Sequence, residues 1–117
     1  MESNLDLKIS ELDSEKNYQL ISFSGDFDKA GHNDIREKLD GVIQAFSGKS
    51  LVFDFSGLNF INSEAIGYLI EIHTHLTQRG RELVIVGLKP NIQDIFSAIG
   101  IKEVIKIYSD LNDFLNS

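Results

Sequence analysis

Ser50 to Phe55, SLVFDF, is an apolar run too short to make a useful helix and too continuous for a strand with one wet face. Bounded by SGKS before it and SGLN after it, the run reads as a strand covered on both faces or nearly so. On either side the hydrophobic period changes. From His32 to Phe46 the apolar residues Ile35, Leu39, Val42, Ile43 and Phe46 fall at spacings of four, three, one and three, which marks one stripe of a helix. Arg36, Glu37, Lys38 and Asp40 are left on its solvated face, and Gly41 weakens the helix without breaking it. After the run, Ile66, Leu69, Ile70, His73 and Leu76 form a second helical stripe, with Gly80 as a stop. A chain that switches this way between buried strand and amphipathic helix is confined to the α/β class.

The rest of the chain keeps the rhythm. Leu5, Leu7 and Ile9 alternate with polar residues, the turn-like DSEKN follows, and YQLISFSG is a second β-type run, so the chain opens with two strands on a short connection. ELVIVG is another buried strand. Pro90 suits a helix start, Ile92, Ile95, Phe96 and Ile99 supply its apolar face, and Gly100 ends it. EVIKIY reads as the last strand and DLNDFL as a short terminal helix. The expected order is β-β-α-β-α-β-α-β-α: a small, mixed, largely parallel sheet whose parallel neighbours are joined by right-handed crossovers. The 117 residues, 42% of them hydrophobic, suit one domain over 1–117, without repeat or linker.

Several functions are disfavoured. The net charge is −7 and the Lys and Arg residues are scattered, so nothing resembles a footprint for nucleic acid or an anionic membrane. There is no Cys, hence no disulfide and no thiolate chemistry. The start, MESNLDLKIS, lacks the basic and apolar regions of a signal peptide, and no apolar run approaches the roughly 20 residues of a membrane span. A cytoplasmic protein without membrane insertion is expected. The sequence contains neither G-x-x-x-x-G-K-S/T nor G-x-G-x-x-G. His73 and His75, two apart on a helix, cannot share an ion; His73 reads as a core or boundary residue and His75 as solvated. The surroundings of Ser63, with Asn62 and Glu64 as neighbours, lack the G-x-S-x-G of a nucleophile elbow. No cofactor, no metal and no enzymatic activity are expected.

Attention therefore falls on Ser63 itself. Asn62 and Ser63 are both good N-cap residues, and Glu64 in the first turn suits the positive end of a helix dipole. Capping is one reading. The other starts from position: a loop leaving the C-terminal end of a parallel strand for a helix N-terminus is where α/β proteins place working groups. A phosphate on Ser63 would meet free backbone N–H groups there and add up to about two negative charges.

Asp54-Phe55-Ser56-Gly57-Leu58-Asn59-Phe60-Ile61-Asn62-Ser63, followed by Ile66-Gly67, resembles the signature of STAS domains, the family of bacterial anti-sigma factor antagonists. Gly25-Asp26-Phe27-Asp28 is similar to that family's G-E-L-D before its first helix, and Leu83 to Pro90 to its penultimate strand and following loop. Ile99-Gly100-Ile101 and Ile107-Tyr108 to Leu115 extend the resemblance over nearly the whole chain. The resemblance implies that Ser63 is a phosphoacceptor for a partner GHKL-type serine kinase that is itself an anti-sigma factor. It further implies that a phosphatase resets the serine, and that Asp28, Asp54, Asn62, Glu64, Ile66 and Gly67 surround the site and bind the partner. ATP, Mg²⁺ and the catalytic base would belong to the kinase.

Three residues depart from the family pattern. Asn62 stands where the family has Asp, Glu64 where it has Ser or Thr, and Ala65 where it has Gly. Asn keeps the capping ability of Asp but loses a charge, and Glu64 puts a fixed negative charge beside the acceptor. The alternative is a STAS domain that is not switched by phosphorylation: a stressosome-like scaffold or a subunit of a phospholipid-transport ABC system. Ile66 and Tyr68 are further candidates for an exposed docking surface. Lys89 falls where the family's loop lies on the acceptor side.

Overall fold

The computed structural model describes residues 2–117. β1 (Asp6–Ile9) and β2 (Tyr18–Phe27) pair antiparallel, and α1 (Lys29–Ala45) leads to β3 (Ser50–Ile61). α2 (Ser63–Gln78), β4 (Glu82–Val86), α3 (Pro90–Ile99), a single 3-10 turn at Ile101–Glu103, β5 (Lys106–Tyr108) and α4 (Leu111–Leu115) complete the order. The expected succession of strands and helices is present, with the 3-10 turn added. The sheet is β1-β2-β3-β4-β5, parallel from β2 onward.

Strands that succeed one another in space as in sequence, joined by right-handed crossovers, must put every crossover helix on the same face. That is observed. Ile35, Leu39 and Ile43 of α1, Ala65, Tyr68, Leu69, Ile72 and Leu76 of α2, and Ile92 and Phe96 of α3 share one buried cluster with Phe23, Phe53 and Phe55 of the sheet. Residues of opposite parity, Val52, Val84 and Val86, face the other side and are covered by Leu111 and Phe114 of α4. Phe114 packs edge-on against Tyr18 and Tyr108, at ring separations of 6.3 and 5.5 Å. β3 is buried on both faces along Ser50–Phe53, as its continuous apolar run requires.

The structure corrects the sequence reading in several places. The loop expected at SGLN is strand: β3 continues to Ile61, held only by β2, with register shifts between Ser22 and Ser24 and between Gly25 and Asp26. Those irregularities let both Leu58 and Ile61 reach the core, and they turn Phe60 outward with 47% of its surface exposed. α1 begins at Lys29, before His32, because Asp28 accepts a 2.8 Å hydrogen bond from the Gly31 N–H and caps it there. The core stripe of α2 is rotated toward α1: Tyr68 and Ile72 are buried, Ile70 is 40% exposed and His73 half-buried. The rotation is tolerated because the Tyr68 hydroxyl donates to Asp40 at 2.5 Å, so the ring is buried without orphaning its polar tip. Burial and that hydrogen bond hold the Tyr68 phenol above its ordinary range. Ile95 and Ile99 of α3 are exposed rather than in the core, and EVIKIY contributes only Lys106–Tyr108 to the sheet.

Gly31 and Gly41, both in α1, separate two reasons for a helical glycine. A Cβ on Gly31 would stand 2.5 Å from the Asp26 carbonyl oxygen, whereas one on Gly41 would meet nothing within 4 Å. Gly31→Ala is expected to destabilise by about 1–3 kcal/mol, and Gly41→Ala to stabilise by roughly 0.5–1 kcal/mol; urea unfolding measures both. Glu82 gives a pH prediction. Burial pushes its carboxyl up, but hydrogen bonds from the Ser50 hydroxyl and the Lys106 ammonium outweigh this and hold it below the ordinary 4.5. A lowered folded-state value adds stability that is present above the ordinary carboxylate range and lost as pH falls through the lowered one. Glu82→Gln should flatten the acid limb of stability against pH, read by thermal melts from neutral pH to about pH 3.

Candidate functional site

The last residues of β2 and β3 form a pair, Phe27 with Ile61, and the Asn62 N–H donates to the Phe27 carbonyl at 3.1 Å. Each strand then enters a helix after one residue. Asp28 caps α1, and the Asn62 side chain caps α2 by accepting from the Ala65 N–H at 2.8 Å. Two helix N-termini therefore stand side by side at one end of the sheet, each with one donor satisfied by its cap.

With Asn62 as the cap, Ser63 is the first residue of α2. It is exposed, and among the described residues its hydroxyl takes no hydrogen bond. The Ser63 and Glu64 N–H groups have no protein acceptor among the described residues either, as expected in a first helical turn. The arrangement presents a free hydroxyl together with two free backbone donors. Among the described residues no base is bonded to the hydroxyl, and a group added to it from outside would meet these donors.

The β4–α3 loop is pinned to the same end. Lys89 Nζ donates to Asn59 Oδ1 and Asn91 Nδ2 donates to the Asn59 carbonyl at 3.0 Å, which brings an ammonium onto the last stretch of β3. Gly67 lies one turn beyond Ser63. It is exposed, its φ is not positive, and a Cβ there would meet nothing within 4 Å. Nothing within the fold calls for glycine at that position, which would be more stable as alanine by roughly 0.5–1 kcal/mol. Ile66 is half-buried against the core, and Phe60 on β3 before Ser63 and Ile70 on α2 after it are exposed apolar residues.

Of the sequence-derived site residues, Asp28, Asn62, Glu64, Ile66 and Gly67 gather around Ser63. Asp54 does not. It sits opposite Ser22 and Val86 in the sheet, where it accepts from the Ser56 N–H at 2.9 Å. The five-residue advance of β2 from Ser22 to Phe27 places it roughly 17 Å from that end. Its parity also turns it toward the α4 side, away from α1–α3. Tyr68, a candidate for the docking surface, is core. His32 was missed: it is only 3% exposed, and its Nδ1 lies 3.1 Å from Glu64 Oε1. No sequence signal could single it out, since it entered only as the start of a helical stripe whose neighbour across the fold is 32 residues away. Among the described residues no cluster of His, Asp or Glu is arranged to hold a metal ion, and no helix is long and apolar enough to cross a membrane.

The family model for the STAS domain matches residues 11–114. An anti-sigma-B factor antagonist from Listeria monocytogenes is 27% identical over 104 residues, 89% of each chain. The crystal structure of an anti-sigma factor antagonist from Mycobacterium paratuberculosis superposes with a TM-score of 0.83 at 19% identity, covering 99% of this chain and 97% of that one. The Bacillus cell fate determinant SpoIIAA in its phosphorylated form superposes with a TM-score of 0.65 at 15% identity, covering 89% and 92%.

Asn62, not Ser63, carries the capping bond, so their alanine variants should differ. Asn62→Ala is expected to cost about 1 kcal/mol, and Ser63→Ala to stay within roughly 0.5 kcal/mol of the parent, by chemical denaturation at neutral pH.

Proposed function

The chain belongs to the STAS domain family, and from that premise we propose that it is an anti-sigma factor antagonist switched by phosphorylation of Ser63. The observation that carries the reading is the free Ser63 hydroxyl at the first position of α2, beside two unpaired N–H donors, with the capping role already filled by Asn62. A phosphate placed there meets the donors and the positive end of the helix dipole. The fold accepts it without rearrangement, and the surface changes by nearly two charges.

In this reading the chain is a single domain over 1–117 that acts as substrate and binding module, not as an enzyme, in the cytoplasm. The partner is a GHKL-type serine kinase with anti-sigma activity, and a phosphatase reverses the modification. Unphosphorylated, the protein docks on the kinase through Ser63, Gly67, Ile66 and the exposed Phe60 and Ile70; Asp28 and Asn62 hold the two helix ends in place. The bare Gly67 supports this surface, because a residue unfavourable to its own helix and touching nothing gains a purpose where another chain approaches closely. Phosphate on Ser63 puts charge in the middle of that contact and releases the partner. The relatives named as anti-sigma factor antagonists support the partner class.

Glu64 favours a second reading. A permanent carboxylate next to the acceptor suits a STAS domain that binds its partner constitutively, as a stressosome-like scaffold or a subunit of a phospholipid-transport ABC system. Affinity capture from the source cells with wild-type and Ser63→Ala baits separates the two. A GHKL kinase held more strongly by Ser63→Ala, with phosphate found on the wild-type serine by mass spectrometry, is the expected result. Identical partners on both baits and an unmodified Ser63 would overturn it in favour of the constitutive reading.

A further inference from the structure

Glu64 is the second residue of α2 and its side chain is 53% exposed, so nothing in its immediate packing fixes it. Left free, its carboxylate would compete with an incoming phosphate for the donors of the first turn and repel the phosphate itself. Yet Oε1 is drawn to the other side, 3.1 Å from His32 Nδ1 on α1. The imidazole cannot follow the carboxylate outward. It is 3% exposed and packed between Phe27 and Tyr68, at ring separations of 6.2 and 4.8 Å.

The other ring nitrogen, Nε2, is buried and has no partner among the described residues. A proton on Nε2 would be an orphaned donor in apolar surroundings, whereas a proton on Nδ1 finds the Glu64 carboxylate. The tautomer that satisfies the ring is therefore the one that donates to Glu64. The remaining charged or titratable groups about the ring are Tyr68 on α2, Asp28 one turn before it at the cap of α1, and Arg36 one turn after it on α1, with the Arg36 guanidinium over the Tyr68 ring at 4.9 Å. Asp28 is engaged with the Gly31 N–H, and Tyr68 with Asp40, which leaves Glu64 as the group bonded to the imidazole.

We propose that His32 is a positioning residue for the Ser63 end of α2: by donating from Nδ1 it turns the Glu64 carboxylate toward α1 and leaves the serine hydroxyl and the first-turn N–H groups clear for a phosphate. The proposal rests on the reading of Ser63 as the modified residue. It accounts for how an acidic residue can stand directly after a phosphoacceptor without imitating the phosphate.

The test does not depend on finding a kinase. Phosphoserine is incorporated genetically at position 63 in the wild-type, His32→Asn, His32→Leu, Glu64→Gln and His32→Leu/Glu64→Gln backgrounds, and the second ionisation of the phosphate is followed by ³¹P NMR against pH. Asn places an N–H near the position of Nδ1, and Leu fills the site without a donor. The phosphate midpoint is expected to be about half a pH unit higher in His32→Leu than in wild type, the size of an extra carboxylate at about 6 Å in water. His32→Asn should restore the wild-type value, and the double variant should remove the shift. Equal midpoints in wild type, His32→Leu and Glu64→Gln would overturn the proposal, as would a shift that persists in the double variant. Should His32→Leu fail to fold, His32→Phe takes its place, keeping a ring between Phe27 and Tyr68 without a donor: a rise of about half a unit that Glu64→Gln removes supports the proposal, and a midpoint equal to wild type overturns it. Absence of phosphate on Ser63 in cells would count against the switch reading and leave these midpoints unaffected.

Discussion

The pairing of β2 with β3 at its far end is the contact on which the rest depends. Phe27 lies opposite Ile61, and the next N–H, that of Asn62, closes onto the Phe27 carbonyl. Because each strand passes into its helix after a single capping residue, this register fixes where α1 and α2 begin and how their first turns face each other. Beyond Asp54 β3 has no partner on its β4 side, so only β2 carries it out to this end of the sheet. The two register shifts along that stretch add residues to β3 and decide which side chains point inward. Leu58 and Ile61 are buried while Asn59 and Phe60 are exposed at the approach to Ser63.

The fold was legible because its two periods are strong. A nearly unbroken apolar run and three helical stripes suffice to order strands and helices, and right-handed crossovers then put α1–α3 on one face. The errors arose where a local pattern was shared between two environments. SGLN carries turn residues, yet it pairs as strand because β3 is itself bulged there and Gly57 allows the close approach to β2, where a Cβ would meet the Phe23 carbonyl oxygen at 2.9 Å. Ile70 and Tyr68 are both acceptable on a helix stripe; the choice between them depended on Asp40, 28 residues away, being placed to receive the tyrosine hydroxyl.

The site was legible to a different degree. Ser63 stood out by its place between a buried strand and a helix, and Asp28 and Asn62 by their capping chemistry, which is local and therefore written in the sequence. Which of Asn62 and Ser63 caps the helix was not, because both residue types do so well; the geometry gives the bond to Asn62 and leaves Ser63 free. Asp54 enters as the first residue of the motif that ends at Ser63, but a strand separates residues by about 3.3 Å each and alternates their faces, so sharing a motif does not bring it near Ser63. His32 lay beyond reach for the opposite reason: its importance comes from a residue on another helix.

Charge explains why the proposed switch at Ser63 would cost the fold little. The chain already carries −7, and its acidic groups near Ser63 are each engaged: Asp28 with a backbone donor and Glu64 with His32. Phosphate at Ser63 would therefore fall on unpaired N–H groups and the positive ends of two adjacent helices rather than on loose carboxylates. The folded state would be favoured or left unchanged by the added charge, while a partner packed over Phe60, Gly67 and Ile70 would have to bury it. In the proposed switch, the asymmetry between a helix end that welcomes the anion and an apolar contact that cannot would turn a change on one hydroxyl into a change of partner.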